Sequence, residues 1–473
     1  MQGYASRDAV LNILMDQETT GAFLKDLFPR HTHELSAPDK ALVREISLGV
    51  VRNLTLLDYN IDRHAPKKPS GVLRAVLRLT AYQIFFLEVP DFAAVNVGVE
   101  LAKRYEGSPQ AGFVNVVLKK MSKEGLQREA GDSFGALAVN FSHPEWLVRR
   151  WHKRLGRKGL MLALERNNQE APLWIRVNPS MAGFLANVAG TLPEASLGHA
   201  GAGDAAVEAV QSQLATLGVE TERDGYAPMF LRIVTGARGG GGKAVLHSGL
   251  FTSGAIAFQD PAAWFISELA DWRPGASLLD LCAAPGGKAA CFVERAQYLG
   301  EIGCDDSPVV CNDVSFRRLR LIRDAVDRLG HRMLLPLVMD AQHPALRNTF
   351  DIVIVDAPCS NLGVLRRRPE ARWTHGPADL QRLADQQREL LHRAAALTGP
   401  KGRIIYATCS PEDEETVGVV KTFLAMHPDW ALVDAAEHLP AWAVKRGFLW
   451  LHPGESEYDG FFAARLERKA AIV

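Results

Sequence analysis

From residue 246 onward the chain alternates short apolar runs with longer amphipathic ones, and few folds accommodate that rhythm. The apolar runs are ASLLDLC (276–282), VVCNDV (309–314), MLLPLVMD (333–340), FDIVIVDA (350–357) and GRIIYATC (402–409). Each is too short for a helix, and each is bounded by residues of helical pattern, as at 315–329 and 378–397. Strands that are apolar on both sides and joined by helical crossovers belong to a parallel sheet covered on both faces. The spacing therefore predicts an α/β, Rossmann-like domain over 246–473.

The chain ahead of it reads differently, so a multidomain fold is expected. Ser36-Ala37-Pro38-Asp39 looks like a helix cap with an early proline. Ala41, Leu42, Ile46, Val50, Leu54 and Leu57 follow at helical spacing. Leu73, Val76, Leu77, Ile84 and Phe85 form a second apolar face, and 92–105 and 109–121 two further helices. Residues 1–140 thus read as an α-helical bundle. Residues 141–245 read as a small linking α+β segment, with strands at PLWIRVN (172–178) and MFLRIV (229–234). GHAGAGDAA (198–206) reads as a loop. GARGGGGK (236–243) resembles a phosphate loop only superficially: Ala237 replaces the first glycine and Ala244 the hydroxyl residue after the lysine. It too is expected to be a surface loop.

The formal net charge of +0 excludes a uniformly basic nucleic-acid binder but not a local basic groove. Basic runs do occur, at 149–158, 317–323 and 366–368. No apolar stretch approaches the ~18 residues of a membrane span. The first residues lack a basic start followed by an apolar run, so no secretory signal is expected. The reading is a cytoplasmic, monomeric protein without a membrane partner. Six cysteines, Cys282, Cys291, Cys304, Cys311, Cys359 and Cys409, show no C-x-x-C spacing. No metal site is expected, and the thiols are expected to be free.

In an open parallel sheet, ligands bind beyond the carboxyl ends of the strands. The first strand is followed by Cys282-Ala283-Ala284-Pro285-Gly286-Gly287-Lys288, where adjacent glycines let backbone approach a ligand. The next strands end in Asp313, suited to ribose hydroxyls, Asp340, able to accept from an adenine amino group, and Asp356. This layout suits a nucleoside, in a dinucleotide or in S-adenosylmethionine. The turn lacks the G-x-G-x-x-G spacing of pyrophosphate binders, which favours a cofactor without pyrophosphate.

Asp356-Ala357-Pro358-Cys359-Ser360 and Ala407-Thr408-Cys409-Ser410 each place a thiol just past a strand. Carbon 5 of cytosine is too weak a nucleophile to take a methyl from a sulfonium. Thiolate addition at carbon 6 makes carbon 5 enamine-like, and the thiolate leaves after the carbon 5 proton is removed. Asp356 suits the N3 edge of the base if it is held protonated.

LLDLCAAPGGK, DAPCS and YATCS, in this order and followed by Asp459-Gly460-Phe461-Phe462, resemble the RNA cytosine-5 methyltransferases of the NOL1/NOP2/Sun family over about 246–473. The resemblance implies S-adenosyl-L-methionine as cofactor, Cys409 as nucleophile and Cys359 as the thiol that frees the product. It implies that Lys288 and Asp356 face cofactor and base. Cys282, Ala283, Ala284, Pro285, Gly286, Gly287 and Lys288, with Asp313, Arg318, Asp340 and Asp356, would line the cofactor site. Phe258-Gln259-Asp260 is similar to a further family segment. VRNLTLLDYNID, LRAVLRLTAYQIFFLEVPDFAAVNVGVELAK and GFVNVVLKKM resemble a NusB-like RNA-binding domain, joined by FSHPEWLVRRW (141–151). That combination resembles the branch of the family acting on 16S ribosomal RNA. A flipped-out target base is then required, with salt-sensitive phosphate contacts; Arg366, Arg367 and Arg368 are candidates near the site, and Trp373 suits stacking on a base but, as tryptophans usually are, is expected to be buried.

The chain departs from the family pattern at Ala289-Ala290 and Thr416, and in a long 288–313 interval that makes Asp305 and Asp306 fallbacks for Asp313. Three other readings compete: methylation of another RNA such as tRNA, a DNA cytosine-5 methyltransferase using Pro358-Cys359, and a non-catalytic RNA-binding assembly factor. Cys409 and the helical domain speak against DNA, and the intact reacting groups against the assembly factor.

Overall fold

The computed structural model describes residues 4–87, 89–181, 202–234, 240–301 and 307–469. They form two compact units. One runs from the N-terminus to Glu170 and takes in two later pieces, Val364–Gly376 and Pro453–Glu455; the other holds the rest.

The first unit is helical: α1 (Tyr4–Thr20), α2 (Leu24–Thr32), α3 (Ala37–Arg52), α4 (Leu54–His64), α5 (Gly71–Phe86), α6 (Asp91–Glu106), α7 (Ser108–Glu124), α8 (Phe134–Asn140) and α9 (Glu145–Asn168). Ser36 caps α3 by accepting from the Asp39 amide at 3.3 Å. The apolar spacing that reads as one helix from 41 to 57 is broken at Asn53, and α4 starts afresh. Val43, Ile46, Val50, Leu57, Ile61, Leu77, Leu101 and Leu118 meet in one buried core.

Val364–Gly376 is anchored in this unit. Arg372 is fully buried and donates to Ser142 O (2.8 Å), Asn168 Oδ1 (2.9 Å) and Asn167 O (3.2 Å). Burial and the nearby Arg52 cation pull its pKa down to about 9. Trp373 Nε1 donates to Val51 O at 2.9 Å, and its ring packs on the helical core. Arg366 is buried, and Arg368 lies over the Phe23 ring at 5.4 Å. Of the two uses open to Trp373, stacking on a base or burial, the structure has the burial. A half-buried tryptophan whose N–H is spent on backbone holds the segment in place instead.

The second unit contains two sheets. The smaller is antiparallel, with β1 (Trp174–Val177), β2 (Thr221–Arg223), β3 (Phe230–Ile233) and β4 (Ile256–Phe258) in the order β2-β3-β1-β4. Helix α10 (Ala202–Thr216) packs on it: Val207, Val210 and Leu214, spaced i, i+3, i+7, are buried with Ile175, Phe230 and Leu231. The loop expected at 198–206 is therefore corrected for residues 202–206, which open α10; 198–201 lie outside the described residues. In GARGGGGK, 236–239 lie outside as well. Gly241 opens the short helix Gly241–Leu246, which corrects the loop expected there.

The larger sheet holds β5 (Leu278–Asp280), β6 (Val309–Asp313), β7 (Leu334–Val338), β8 (Phe350–Asp356), β9 (Thr398–Thr408), β10 (Trp430–Val433), β11 (Val444–Lys445), β12 (Phe448–Leu451) and β13 (Phe461–Arg468). Its order is β7-β6-β5-β8-β9-β13-β12-β11, with β10 on β13. Pairing is parallel from β7 to β9 and antiparallel at β13. Ile352 and Ile354 enter one buried cluster and Val353 and Val355 the other, so β8 is covered on both faces. The connection from β5 goes to β6 on one side while β8 lies on its other side. The resulting crevice at the carboxyl ends of β5 and its neighbours is the topological switch point. Among the described residues no helix is long and apolar enough to cross a membrane.

Candidate functional site: a glycine turn beside two thiols

The chain leaves β5 at Asp280 and folds back at once. The Ala283 amide donates to Asn312 O on β6 at 2.7 Å, and the Gly286 amide to Ala283 O at 2.6 Å. Gly286 has φ +93°, a conformation that costs a side-chain-bearing residue ~1–2 kcal/mol. It opens α11 (Gly287–Tyr298), whose N-terminus has no side-chain cap. A Cβ on Gly287 would stand 3.2 Å from Gln259 Nε2, so Phe258-Gln259-Asp260 lies against the turn.

Behind the turn lies a buried ionic lattice. Arg176 on β1 donates to Gly287 O at 2.7 Å, to Gln259 Oε1 and to Glu294 of α11. Glu294 also meets His331 Nε2 at 2.8 Å. Burial pushes the Glu294 carboxyl up, but Arg176 and His331 more than offset that and hold it below its ordinary value. Sequence reasoning missed Arg176, Glu294 and His331, because partners so far apart in the chain leave no local signal.

The acids at the strand ends differ. Asp313 is 2% exposed. Its Oδ1 accepts from the Ser315 amide at 2.9 Å, and Oδ2 lies 3.3 Å from Arg318 Nη1. Arg318 also donates to Ala284 O at 3.0 Å, so it bridges Asp313 and the glycine turn. Asp340 follows β7 and is half exposed. It is held by its own loop: the Gln342 amide and His343 Nδ1 both lie at 2.9 Å. The fallbacks Asp305 and Asp306, and Cys304, lie outside the described residues. Asp280 was missed, hidden inside an apolar run that reads as strand. It is 1% exposed; Oδ1 accepts from the Cys282 amide at 3.1 Å, and Oδ2 has no partner among the described residues. Burial, then the Asp356 carboxylate, push its pKa up to about 7.

The fourth and fifth strands bring the thiols together. Cys359 Sγ and Cys409 Sγ are 3.1 Å apart; Cys359 is buried and Cys409 partly exposed. Asn361, with φ +60°, touches both: its Nδ2 donates to Cys359 O at 2.8 Å and its Oδ1 accepts from Cys409 Sγ at 3.3 Å. Asparagine tolerates that conformation better than most residues, the one signal by which it was findable. The Cys409 sulfur beside it, and then burial, push the Cys359 thiol well above its ordinary value. Lys288 Nζ donates to Asp356 Oδ2 at 2.5 Å and lies 5.4 Å from the Phe461 ring centroid. Burial lowers the Lys288 pKa, but Asp356 more than offsets this and the ammonium ends above its ordinary value. Asp356 thus faces the crevice paired with Lys288. Cys291 and Cys311 are buried free thiols, and burial pushes both up, Cys291 to about 11. Cys282 stays on the turn, partly exposed.

A doubly covered parallel sheet with a glycine turn after one strand and paired thiols after two others defines a class: the profile described as 16S rRNA methyltransferase RsmB/F matches residues 269–467. NusB family and RsmF/B-like ferredoxin-like profiles match 4–123 and 143–189. The ribosomal RNA small subunit methyltransferase B of Salmonella paratyphi B is 30% identical, over 95% of this chain and 95% of its own. The probable enzyme of that name from Bacillus subtilis is 29% identical, over 98% and 97%. The crystal structure of PH0851 superposes with a TM-score of 0.75 over 99% of each chain at 24% identity, which shows a shared fold. The chain belongs to the ribosomal RNA small subunit methyltransferase B family.

Proposed function

We propose that the chain methylates carbon 5 of a cytosine in 16S ribosomal RNA, with S-adenosylmethionine as methyl donor and Cys409 as nucleophile. The observation that carries this reading is the pair of sulfurs 3.1 Å apart at the ends of β8 and β9, beside the Lys288–Asp356 pair.

The residues present fit the donor. Gly286 and Gly287 leave room for backbone approach, the α11 N-terminus favours a carboxylate, and Asp280 Oδ2 is a buried acceptor still open to a donor. Asp313, steadied by Arg318, suits ribose hydroxyls, and Asp340 suits an adenine amino group. When bound, S-adenosylmethionine supplies an electrophilic methyl on a sulfonium.

Cys409, its thiol proton passed to solvent, adds as a thiolate to carbon 6 of a flipped-out cytosine; the S–C6 bond forms, the C5=C6 pair shifts to C4–C5 and the C4=N3 pair moves onto N3. The Lys288–Asp356 pair shares a proton with N3 as that charge develops. Carbon 5 then takes the methyl and loses its proton to a base. The electrons of that C–H bond restore the double bond and expel Cys409. Cys359, held as a thiol, returns a proton to the departing sulfur.

The test is labelled methyl transfer to 16S ribosomal RNA by the purified chain, with the product mapped as 5-methylcytosine. Label on transfer RNA alone would redirect the substrate. No label on any RNA would leave an assembly factor.

A further inference from the structure

One carboxylate joins the two thiol-bearing loops. Glu415 is fully buried. Its Oε1 accepts from the Ser360 amide at 2.9 Å and Gln387 Nε2 at 3.1 Å. Its Oε2 accepts from the hydroxyls of Ser360 and Ser410, both at 2.5 Å. Ser360 follows Cys359 and Ser410 follows Cys409. Gln387, on the helix Pro377–Leu397, also donates to Pro358 O at 2.9 Å, on the other side of Cys359. The Tyr406 hydroxyl fixes the Glu415 backbone by donating to its carbonyl at 2.6 Å.

All the partners on the carboxyl group are donors, which suits an acceptor-only ionised side chain. Burial nevertheless pushes the Glu415 carboxyl above its ordinary value, against the pull of those hydrogen bonds. The charge also acts on the sulfurs. Glu415 adds to the effects that keep Cys359 protonated, whereas the Lys288 ammonium interacts favourably with a charge on Cys409. Two chemically identical side chains 3.1 Å apart are thus set in unlike fields.

We infer that Glu415 is a positioning residue: by holding Ser360 and Ser410 on one carboxylate it sets the two sulfurs in register and keeps their roles distinct, one as nucleophile and one as proton donor. This rests on the cytosine chemistry proposed above. The strap itself does not, and it can be read without RNA.

The experiment uses the full chain with Glu415→Ala, Glu415→Gln, and Ser360→Ala with Ser410→Ala, each checked by thermal melting. Cys359 and Cys409 are alkylated with iodoacetamide across pH and quantified by mass spectrometry; kcat and KM for RNA and for S-adenosylmethionine are measured in parallel. With Glu415→Ala, Cys359 labelling relative to Cys409 is expected to rise about fivefold as its restraint and charge are lost. The kcat is expected to fall about 100-fold, as ångström-scale misplacement does, with both KM values within about twofold. Glu415→Gln keeps the shape, and serine hydroxyls can turn to accept from its amide, so it should restore kcat to within about tenfold of the wild type. The double serine variant should follow Glu415→Ala, which keeps the strap testable if that variant does not fold. An unchanged labelling ratio overturns the inference, whether kcat holds or falls. A wild-type chain that transfers no methyl while the labelling ratio still shifts would sink the proposed reaction and leave the strap standing.

Discussion

The two sides of the crevice are built by different means. On the cofactor side the determinants are backbone ones: a positive φ at Gly286, a close approach of Gln259 to Gly287 and a helix N-terminus. Its acids are steadied by neighbours in their own loops, as Ser315 and Arg318 hold Asp313 and Gln342 and His343 hold Asp340. On the thiol side the determinants are buried side chains bonded across strands: Cys359, Ser360, Gln387, Ser410 and Glu415. A backbone cradle receives the same small molecule at every turnover and asks only for space and donors. A nucleophile must meet a flipped base within a fraction of an ångström, and that demands locked rotamers.

The comparison breaks hardest at the sulfurs. Cys409→Ala should abolish methyl transfer, a loss on the order of 10⁴-fold or more, because Cys359, the other thiol there, is buried and held protonated. Cys359→Ala should still attack and methylate, yet retain RNA as a covalent adduct visible on a denaturing gel. Turnover should fall about 10²-fold with the proton donor gone. Exchanged phenotypes would reverse the assigned roles.

Asp280 belongs to neither side cleanly, and its titration tells how far the thiol side's charges reach. Its folded value of about 7 stands above its ordinary 3.8, first through burial and then through Asp356. Between those two values the native state holds more protons than the unfolded chain, so stability falls as pH rises from about 4 to 7 and stays at its lowest above. Asp280→Asn removes that dependence while an amide oxygen can still accept from the Cys282 amide. The variant should be more stable than the wild type at pH 8, by on the order of 2–4 kcal/mol, with the difference vanishing near pH 4. Parallel melting curves across pH would count against a buried, proton-holding Asp280.

The same contrast explains what was legible in the sequence. Parallel strands that are apolar on both faces announce themselves as short runs, and all five core strands were read to within a few residues. The glycine turn and both thiol motifs are contiguous, so each was found whole. Glu415 was not, since it sits in an acidic stretch that reads as a loop and its partners are up to 55 residues away. Arg176 reaches Glu294 across 118 residues. Antiparallel β10 to β13 escaped: after the helix Val417–Met426 no further α-helix separates them among the described residues, so the strand–helix rhythm stops. Arg372 went unread, because its partners Ser142 and Asn168 lie more than 200 residues away in the chain.

The cofactor side should yield to backbone changes. Gly286→Ala meets only ordinary contacts, the nearest Ile322 at 3.5 Å, so its cost is conformational. About 1–2 kcal/mol is expected, seen as a melting point lower by a few degrees and as weaker donor binding. Gly287→Ala carries no unfavourable φ but presses on Gln259 Nε2. It should spare the melting point more than Gly286→Ala does and raise KM for S-adenosylmethionine. Equal melting points for the two variants would deny that the turn's conformation, rather than its space, limits stability.

The smallest effect should come from Asp340. Its carboxylate is half exposed and already holds the Gln342 amide and His343, whose hydrogen bond, first among its causes, lowers its pKa. If it also accepts from the adenine amino group, Asp340→Ala removes one hydrogen bond in reach of solvent, worth about 1 kcal/mol, or about fivefold in KM for S-adenosylmethionine. The kcat should hold, because the interaction is equal in ground and transition states. Asp340→Asn keeps an acceptor and should recover most of the loss. A KM unmoved by either substitution would leave Asp340 as a turn residue alone, and the adenine end of the cradle would then rest on backbone, in keeping with the rest of that side.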